Sequence, residues 1–521
     1  MNRPRPQPWS AWRAEERPVA TFSRHARHRL ALAYANSYHV GMSSLALQRV
    51  YELAHREEGW ACERFFTDGE GMPLSVEADT PLNEFSAIAF SVSFEEDYVN
   101  LLRMLDRAHV PLRRDDRGPW DPLVFLGGAC AAINPLPMSE FVDAFPLGAA
   151  ENLLPLLLPV LDGERDREAV LERLAATPGF YVPSRHRPEE LDGPSKLRKL
   201  ELTAEQMNQP GHLPTTAIVT PRTEFSEKFL IEMSRGCPEK CKYCWATFGM
   251  GQFRWHPTEF ILASLERARP VTDQLGFVAT AVGDHPDIEP ILLEANRLGF
   301  RTSVSSIRIP AVTEGVLWAL HASGDRSITL APETGTDELR RKLNKPITNA
   351  ALLDKVRLIF RQGFTGLKLY FLIGVPEETV EDVEGILELA AACRAVMLEE
   401  LRPRGVIGHV TLGVNILVPK PYTPWQREPL GDARDLKEKI ALLKRGVARL
   451  PNVSLAANMS VRQAVWQTYI SKGGVEAAEA IEKVARGAPL SAVLRQYSDR
   501  IHPAVHRRLE GDLHWHFLRM N

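Results

Sequence analysis

The sequence has no long apolar run. Its most apolar stretch, Leu153 to Leu161, is short and broken by Pro155 and Pro159, whereas a membrane helix needs about 20 apolar residues. The Arg-rich start has no apolar core, which excludes a secretory signal. Pro4, Pro6 and Pro8 oppose the amphipathic helix of a mitochondrial presequence. These absences predict a cytoplasmic protein without a membrane partner. Charge of one sign is also missing: 63 Lys and Arg against 66 Asp and Glu leave a net charge of −3, so no nucleic-acid footprint is indicated. Cysteine is scarce, at six in 521 residues, with Cys62, Cys130 and Cys393 scattered. That is no disulfide framework. Nor is the chain short of core: 44% hydrophobic and 25% charged residues exclude a disordered or collagen-like chain. No solenoid-type repeat is found.

What is present is a strand–helix alternation in two parts. In the first, Leu30–Tyr34, Ala87–Val92 and Leu123–Leu126 have strand character, with helices over Ser43–His55 and Tyr98–Ala108. This predicts an α/β fold whose N-terminal domain, residues 1–164, is a doubly wound parallel sheet. Val142–Leu147 is a further strand candidate and Leu153–Leu161 a short helix. Residues 165–228 are rich in Pro and charge and predict a surface linker, with a helix over Arg167–Ala175 its only regular element. The alternation resumes at residue 229. Strands are expected at 229–234, 275–283, 301–306, 326–333, 365–374 and 409–418, with helices near 257–269, 287–298, 312–323, 348–362 and 378–397. Six such units over 229–430 predict a partial (β/α)6 TIM-type barrel, its functional groups at the C-terminal ends of the strands. Residues 431–521 are expected to be helical, most clearly over Asp435–Arg449 and Val475–Ala485.

The remaining cysteines, Cys237, Cys241 and Cys244, form a C-x3-C-x2-C loop directly after the first barrel strand. Gly236 and Pro238 keep that segment out of a helix. Three thiolates are one short of a closed zinc site, which would need a distant fourth ligand. They suit a [4Fe–4S] cluster that keeps one iron open. Arg235, Lys240 and Lys242 favour thiolates and an anionic cluster.

The C-x3-C-x-aromatic-C pattern, with Tyr243 as the aromatic, resembles the signature of the radical S-adenosylmethionine (SAM) superfamily. The resemblance spans the whole expected barrel. It implies that the open iron binds the amino and carboxylate groups of SAM, and that reduction releases a 5′-deoxyadenosyl radical that abstracts hydrogen from a substrate. It also implies a reductant such as flavodoxin or ferredoxin. Val282-Gly283-Asp284 resembles the family's Gly-Gly-Glu motif, which contacts the methionine amino group, with Asp284 in place of Glu. On the same map Ser305 or Arg308 holds the carboxylate, Glu333 accepts from ribose hydroxyls, and Gly374 lets backbone approach the adenine. The segment from Ala331 to Gly335, with Arg340, Arg341 and Lys345, resembles the methylthiotransferase-like branch. Pro419-Lys420-Pro421-Tyr422 is expected at the wall of the substrate cavity. The substrate and its catalytic residues are not legible in the sequence.

The N-terminal domain resembles a cobalamin-binding domain, whose signature is Asp-x-His-x-x-Gly, then a Ser-x-Leu, then Gly-Gly. This chain has Asn36-Ser37-Tyr38-His39-Val40-Gly41, Ser91-Val92-Ser93 and Gly127-Gly128. Tyr38 stands where the cobalt-ligating His belongs, and a phenol with a pKa near 10 is a poor ligand at neutral pH. A cobalamin-type fold without tightly bound cobalamin is therefore expected, His39 pointing elsewhere. Two alternatives stand beside the radical SAM enzyme: a cobalamin-dependent radical SAM methyltransferase, and an iron–sulfur electron-transfer or sensor protein.

Overall fold

Four parallel strands form the first sheet of the computed structural model, which describes residues 9–23, 26–164, 166–457 and 459–520. They are β1 (His28–Tyr34), β2 (Trp60–Phe65), β3 (Ala87–Ser91) and β4 (Leu123–Gly127), in the order β2-β1-β3-β4. Leu30 to Tyr34 are all buried, as a strand covered by helices on both faces requires. The order reverses between β1 and β3, so a crevice opens beyond their C-terminal ends. Helices α1 (Trp9–Glu15), α2 (Tyr38–Met42), α3 (Leu45–Arg56), α4 (Tyr98–Arg107), α5 (Ala150–Gly163) and α6 (Arg167–Ala175) accompany the sheet. The expected elements are all present, and β2 is added. Its sequence, Trp-Ala-Cys-Glu-Arg-Phe, hides two charges that become buried ion pairs. Val142–Leu147 supplies only Phe145–Pro146, paired antiparallel with Phe180–Tyr181. The helix α5 is longer than expected and contains both prolines.

The connector does more than run over the surface. Leu213 and Thr215 to Thr220 are buried, and Ile218–Val219 pairs with Arg17–Pro18. A short helix, Ala204–Met207, is capped by Thr203.

The second part contains two four-stranded sheets. In one, β5 (Phe229–Arg235), β6 (Gln274–Ala279) and β7 (Arg301–Val304) run parallel, with Arg254–Trp255 antiparallel to the end of β5. In the other, β8 (Ser327–Glu333), β9 (Gly366–Ile373), β10 (His409–Ile416) and β11 (Val453–Ala456) are parallel in chain order. The sheets adjoin where the Ile307 N–H donates to the Thr329 carbonyl at 3.3 Å. Helices α7 (Thr258–Ala268), α8 (Ile288–Arg297), α9 (Glu314–Ala322), α10 (Asn349–Arg361) and α11 (Val380–Leu401) occupy the expected intervals. Thr313, Thr348 and Thr379 cap the last three, each satisfying an orphan N–H.

Strand β9 alternates in burial along its length. Leu367, Leu369, Phe371 and Ile373 are buried in a core with Val356, Ile359 and Phe360 of α10, while Lys368, Tyr370 and Leu372 are half-buried on the other, inner face. The region after 431 is helical over α12 (Ala433–Val447), α13 (Val461–Lys472) and three shorter helices, but it also supplies β11. Four residues after a left-handed Asn452 are too few to show a period. Among the described residues, no helix is long and apolar enough to cross a membrane.

Candidate active site

The cysteine loop begins where β5 ends. Gly236 has φ 75°, and a Cβ there would lie 2.8 Å from the carbonyl oxygens of Gly251 and Gln252. Only glycine fits that turn. Cys241 is buried; Cys237 and Cys244 are half-buried. The loop is pinned to the turn after Asp337–Lys342 by two bonds: the Lys242 N–H donates to the Leu343 carbonyl at 3.0 Å, and Asn344 Nδ2 donates to the Lys240 carbonyl at 2.9 Å.

The three thiols share one electrostatic field. Burial pushes the Cys241 thiol up to about 11; Lys345 opposes the shift, and Cys244, Glu333 and Cys237 add to it. Burial likewise raises Cys244, with Cys237 and Glu333 contributing. Yet no three His, Cys, Asp or Glu side chains among the described residues converge on one metal ion. A polynuclear cluster, in which each thiolate takes a different iron, suits three thiols with no fourth protein ligand.

Two polar groups face the loop. Arg308, just beyond β7, pairs with both Asp284 and Glu239, so the spacer of the cysteine motif is tied to the ends of β6 and β7. Burial raises the Asp284 carboxyl while Arg308 opposes it, and Asp284 Oδ2 is buried without a partner. Gly283 packs tightly on Ala311, 2.6 Å from where its Cβ would lie. On the other side, Tyr243 donates to Glu333 Oε1 at 2.6 Å and Lys345 Nζ donates to the same oxygen at 2.8 Å. Glu333 holds φ 70°, a costly conformation for a side chain with a Cβ and one that concentrates at functional sites. Ser305 is exposed and lines a 360 Å³ cavity with Ser234, Arg235, Met250 and Thr280.

Gly374 follows directly on β9. Its φ is 75°, its N–H donates to Glu378 Oε2 at 2.8 Å, and a Cβ would lie 2.8 Å from Leu436. Its close neighbour is thus α12. Lys420 is paired with the buried Glu95 beyond β3. The sequence reading did not single out Glu239 as Arg308's partner or Lys345 as Glu333's. Both sit in motifs already noted, at positions whose partners lie far off in the chain.

The first sheet meets the second part at a buried ion pair. Glu151 of α5 accepts from Arg49 Nε at 3.1 Å and from Arg235 Nη2 at 2.9 Å. Arg235 is the last residue of β5, two before Cys237. Beside it a 340 Å³ cavity is lined by Ser91, Ser93, Gly128, Arg235, Trp245 and Met250. At its rim Gly128, φ 101°, lies against the Val92 carbonyl, which a Cβ would approach to 2.4 Å. Tyr38 lies away from this cavity. It is fully buried, ringed by Trp12 at 5.0 Å and Phe66 at 5.1 Å, and its hydroxyl donates to Glu16 at 2.5 Å. Burial and then Glu16 push its ionisation up. Tyr38 therefore does not fit as a cobalt ligand, and His39, paired with Glu224 at 3.1 Å, points elsewhere as expected.

The chain is similar to several known proteins. Residues 231–390 match the model of the radical SAM superfamily, and residues 46–183 match that of radical SAM proteins, N-terminal. An uncharacterised protein of Methanocaldococcus jannaschii is 26% identical over 423 residues, covering 80% of this chain and 84% of that one. A threonylcarbamoyladenosine tRNA methylthiotransferase of Treponema pallidum is 22% identical, over 39% of this chain and 43% of its own. Among solved structures, the radical SAM methyltransferase TsrM of Kitasatospora setae, with cobalamin and a [4Fe–4S] cluster bound, has a TM-score of 0.54. It is 15% identical and covers 89% of this chain and 100% of its own. The α/β fold thus resembles that of TsrM.

Proposed function

Because the chain belongs to the radical S-adenosylmethionine superfamily, we propose that it is an enzyme that makes a 5′-deoxyadenosyl radical at the loop 237–244 and uses it to abstract hydrogen from a substrate. The observation that carries this reading is the meeting of that loop with Arg308 and Asp284 on one side and Glu333 on the other. An electron carrier or sensor needs thiolates alone, so these strand-end groups favour an enzyme over that alternative.

In this reading Cys237, Cys241 and Cys244 hold three irons. Bound there, the cluster and SAM supply reductive cleavage of a C–S bond. Arg308 and Ser305 orient the methionine carboxylate, and Arg308 keeps Asp284 ionised for the amino group. Glu333 turns toward ribose hydroxyls, held by Tyr243 and Lys345, which share its other oxygen. The two sheets form the partial barrel: six of its parallel strands lie within residues 229–430 and the seventh, β11, comes from 431–521, with the domain 1–164 and linker 165–228 before them. A flavodoxin or ferredoxin supplies the electron in the cytoplasm.

Cobalamin-assisted methyl transfer is the second reading, favoured by the whole-chain likeness to TsrM. Tyr38 excludes a protein ligand from its place, so no step is assigned to cobalamin. Binding of SAM to the reconstituted protein, followed by titration, tests the main reading: it is expected in the wild type and lost when the cluster is absent. Binding that is indifferent to the cluster would refute it.

A further inference from the structure

The inner face of the β8–β11 sheet carries side chains that the radical chemistry does not use. Strand register places Thr329, Lys368 and Thr411 side by side on β8, β9 and β10, with Ser454 of β11 next in the row. All four are half-buried. One row further along, Tyr370 lies opposite Gly413. A Cβ on Gly413 would sit 2.7 Å from the Tyr370 ring, so the glycine makes the space in which that ring lies flat. Lys368 Nζ stands 4.9 Å from the ring centroid, a cation–π distance. Toward the cysteine end of the same face, Asn415 is exposed.

The hydrogen-bond inventory of this face is lopsided. Inner-face carboxylates are already engaged: Glu232 by Arg235 and His256, Glu333 by Tyr243 and Lys345. Among the described residues, Lys368 Nζ has neither a carboxylate nor a hydrogen-bond acceptor. The Tyr370 hydroxyl, Thr329 Oγ1 and the Asn415 side chain likewise have no protein partner. Ser454, by contrast, donates to Thr411 Oγ1 at 3.3 Å and meets His409 at 2.8 Å. An ammonium offers donors only, so what Lys368 Nζ can take up on this face is an acceptor.

From this row we infer that the substrate of the proposed enzyme carries an oxyanion, a carboxylate or a phosphate, that docks on Lys368 between the hydroxyls of Thr329 and Thr411. The inference rests on the functional reading only in calling the ligand a substrate. Lys368 supplies the charge, the two hydroxyls fix the anion's position along the row, and Tyr370 holds the ammonium in place. The remainder of the substrate then extends toward Asn415 and the cysteine loop, at the C-terminal end of the strands.

Inorganic phosphate and succinate serve as probes, with the full chain reconstituted anaerobically and the ³¹P line of phosphate followed during titration. Phosphate is expected to bind the wild type and Lys368→Arg, and to bind Lys368→Met about tenfold more weakly, the loss expected for one charge-assisted hydrogen bond. Displacement of phosphate by succinate assigns a site open to carboxylates; failure of displacement assigns one that selects phosphate. Should Lys368→Met fail to fold, Lys368→Gln and Thr411→Val replace it with the same expectation. Absence of phosphate and succinate binding, or affinity unchanged in Lys368→Met or in the variants that replace it, overturns the assignment. Protein that folds without assembling a cluster counts against the functional reading, whereas the anion titration is read independently of it.

Discussion

Glu151→Gln is the sharpest test of how the first sheet is coupled to the cysteine loop. Burial alone would raise the Glu151 carboxyl, but Arg235 and Arg49 outweigh it and hold it at about 2. The ordinary value is 4.5. At about 1.4 kcal/mol per unit, that gap amounts to roughly 3 kcal/mol. Removing one partner of a buried pair costs about 3–5 kcal/mol, and the side chains of Glu151, Arg49 and Arg235 are only 2%, 2% and 12% exposed. Two routes thus agree near 3 kcal/mol. The sign follows from the depressed folded-state value: the contribution is full above pH 4.5 and fades as pH falls toward 2. Urea unfolding of the protein without cluster, followed by tryptophan fluorescence, should show Glu151→Gln less stable by roughly 3 kcal/mol at pH 7 and the gap narrowing below pH 4.5. A variant within about 0.5 kcal/mol of wild type at pH 7 would refute the claim that this pair holds the junction.

Cys237→Ala, Cys241→Ala and Cys244→Ala should each abolish the cluster's visible absorbance, while Cys393→Ala, at a buried position in α11, should leave it intact. Arg308→Ala frees Asp284 and Glu239 together. SAM affinity, by calorimetry on the loaded protein, should fall about tenfold with the cluster retained. Incubation with hydroxocobalamin, removal of the excess, one-electron reduction to the Co(II) form and electron resonance should give no histidine-ligated cobalt signal, because Tyr38 is closed off by Trp12, Phe66 and Glu16.

Much of the fold was legible because strand and helix periods alternate cleanly: each expected barrel strand and its helix is found within a few residues. The misses share a cause. In β2, Glu63 and Arg64 mask a buried strand because their partners, Arg29, Glu77 and Glu16, lie elsewhere in the chain. In β11 the segment is short and recruited by the edge of β10. The site was legible where chemistry is local. The C-x3-C-x2-C spacing marks the loop, whereas the Arg308–Glu239 and Lys345–Glu333 pairs join residues 69 and 12 positions apart. Gly374 was singled out in the sequence, but its neighbour Leu436 was invisible without the packing of α12.

The central claim is tested most directly by reducing the anaerobically reconstituted protein with SAM and measuring 5′-deoxyadenosine. The account predicts 5′-deoxyadenosine and methionine, formed only with reductant and absent from Cys241→Ala. An intact, reduced cluster with SAM bound and no 5′-deoxyadenosine would contradict it.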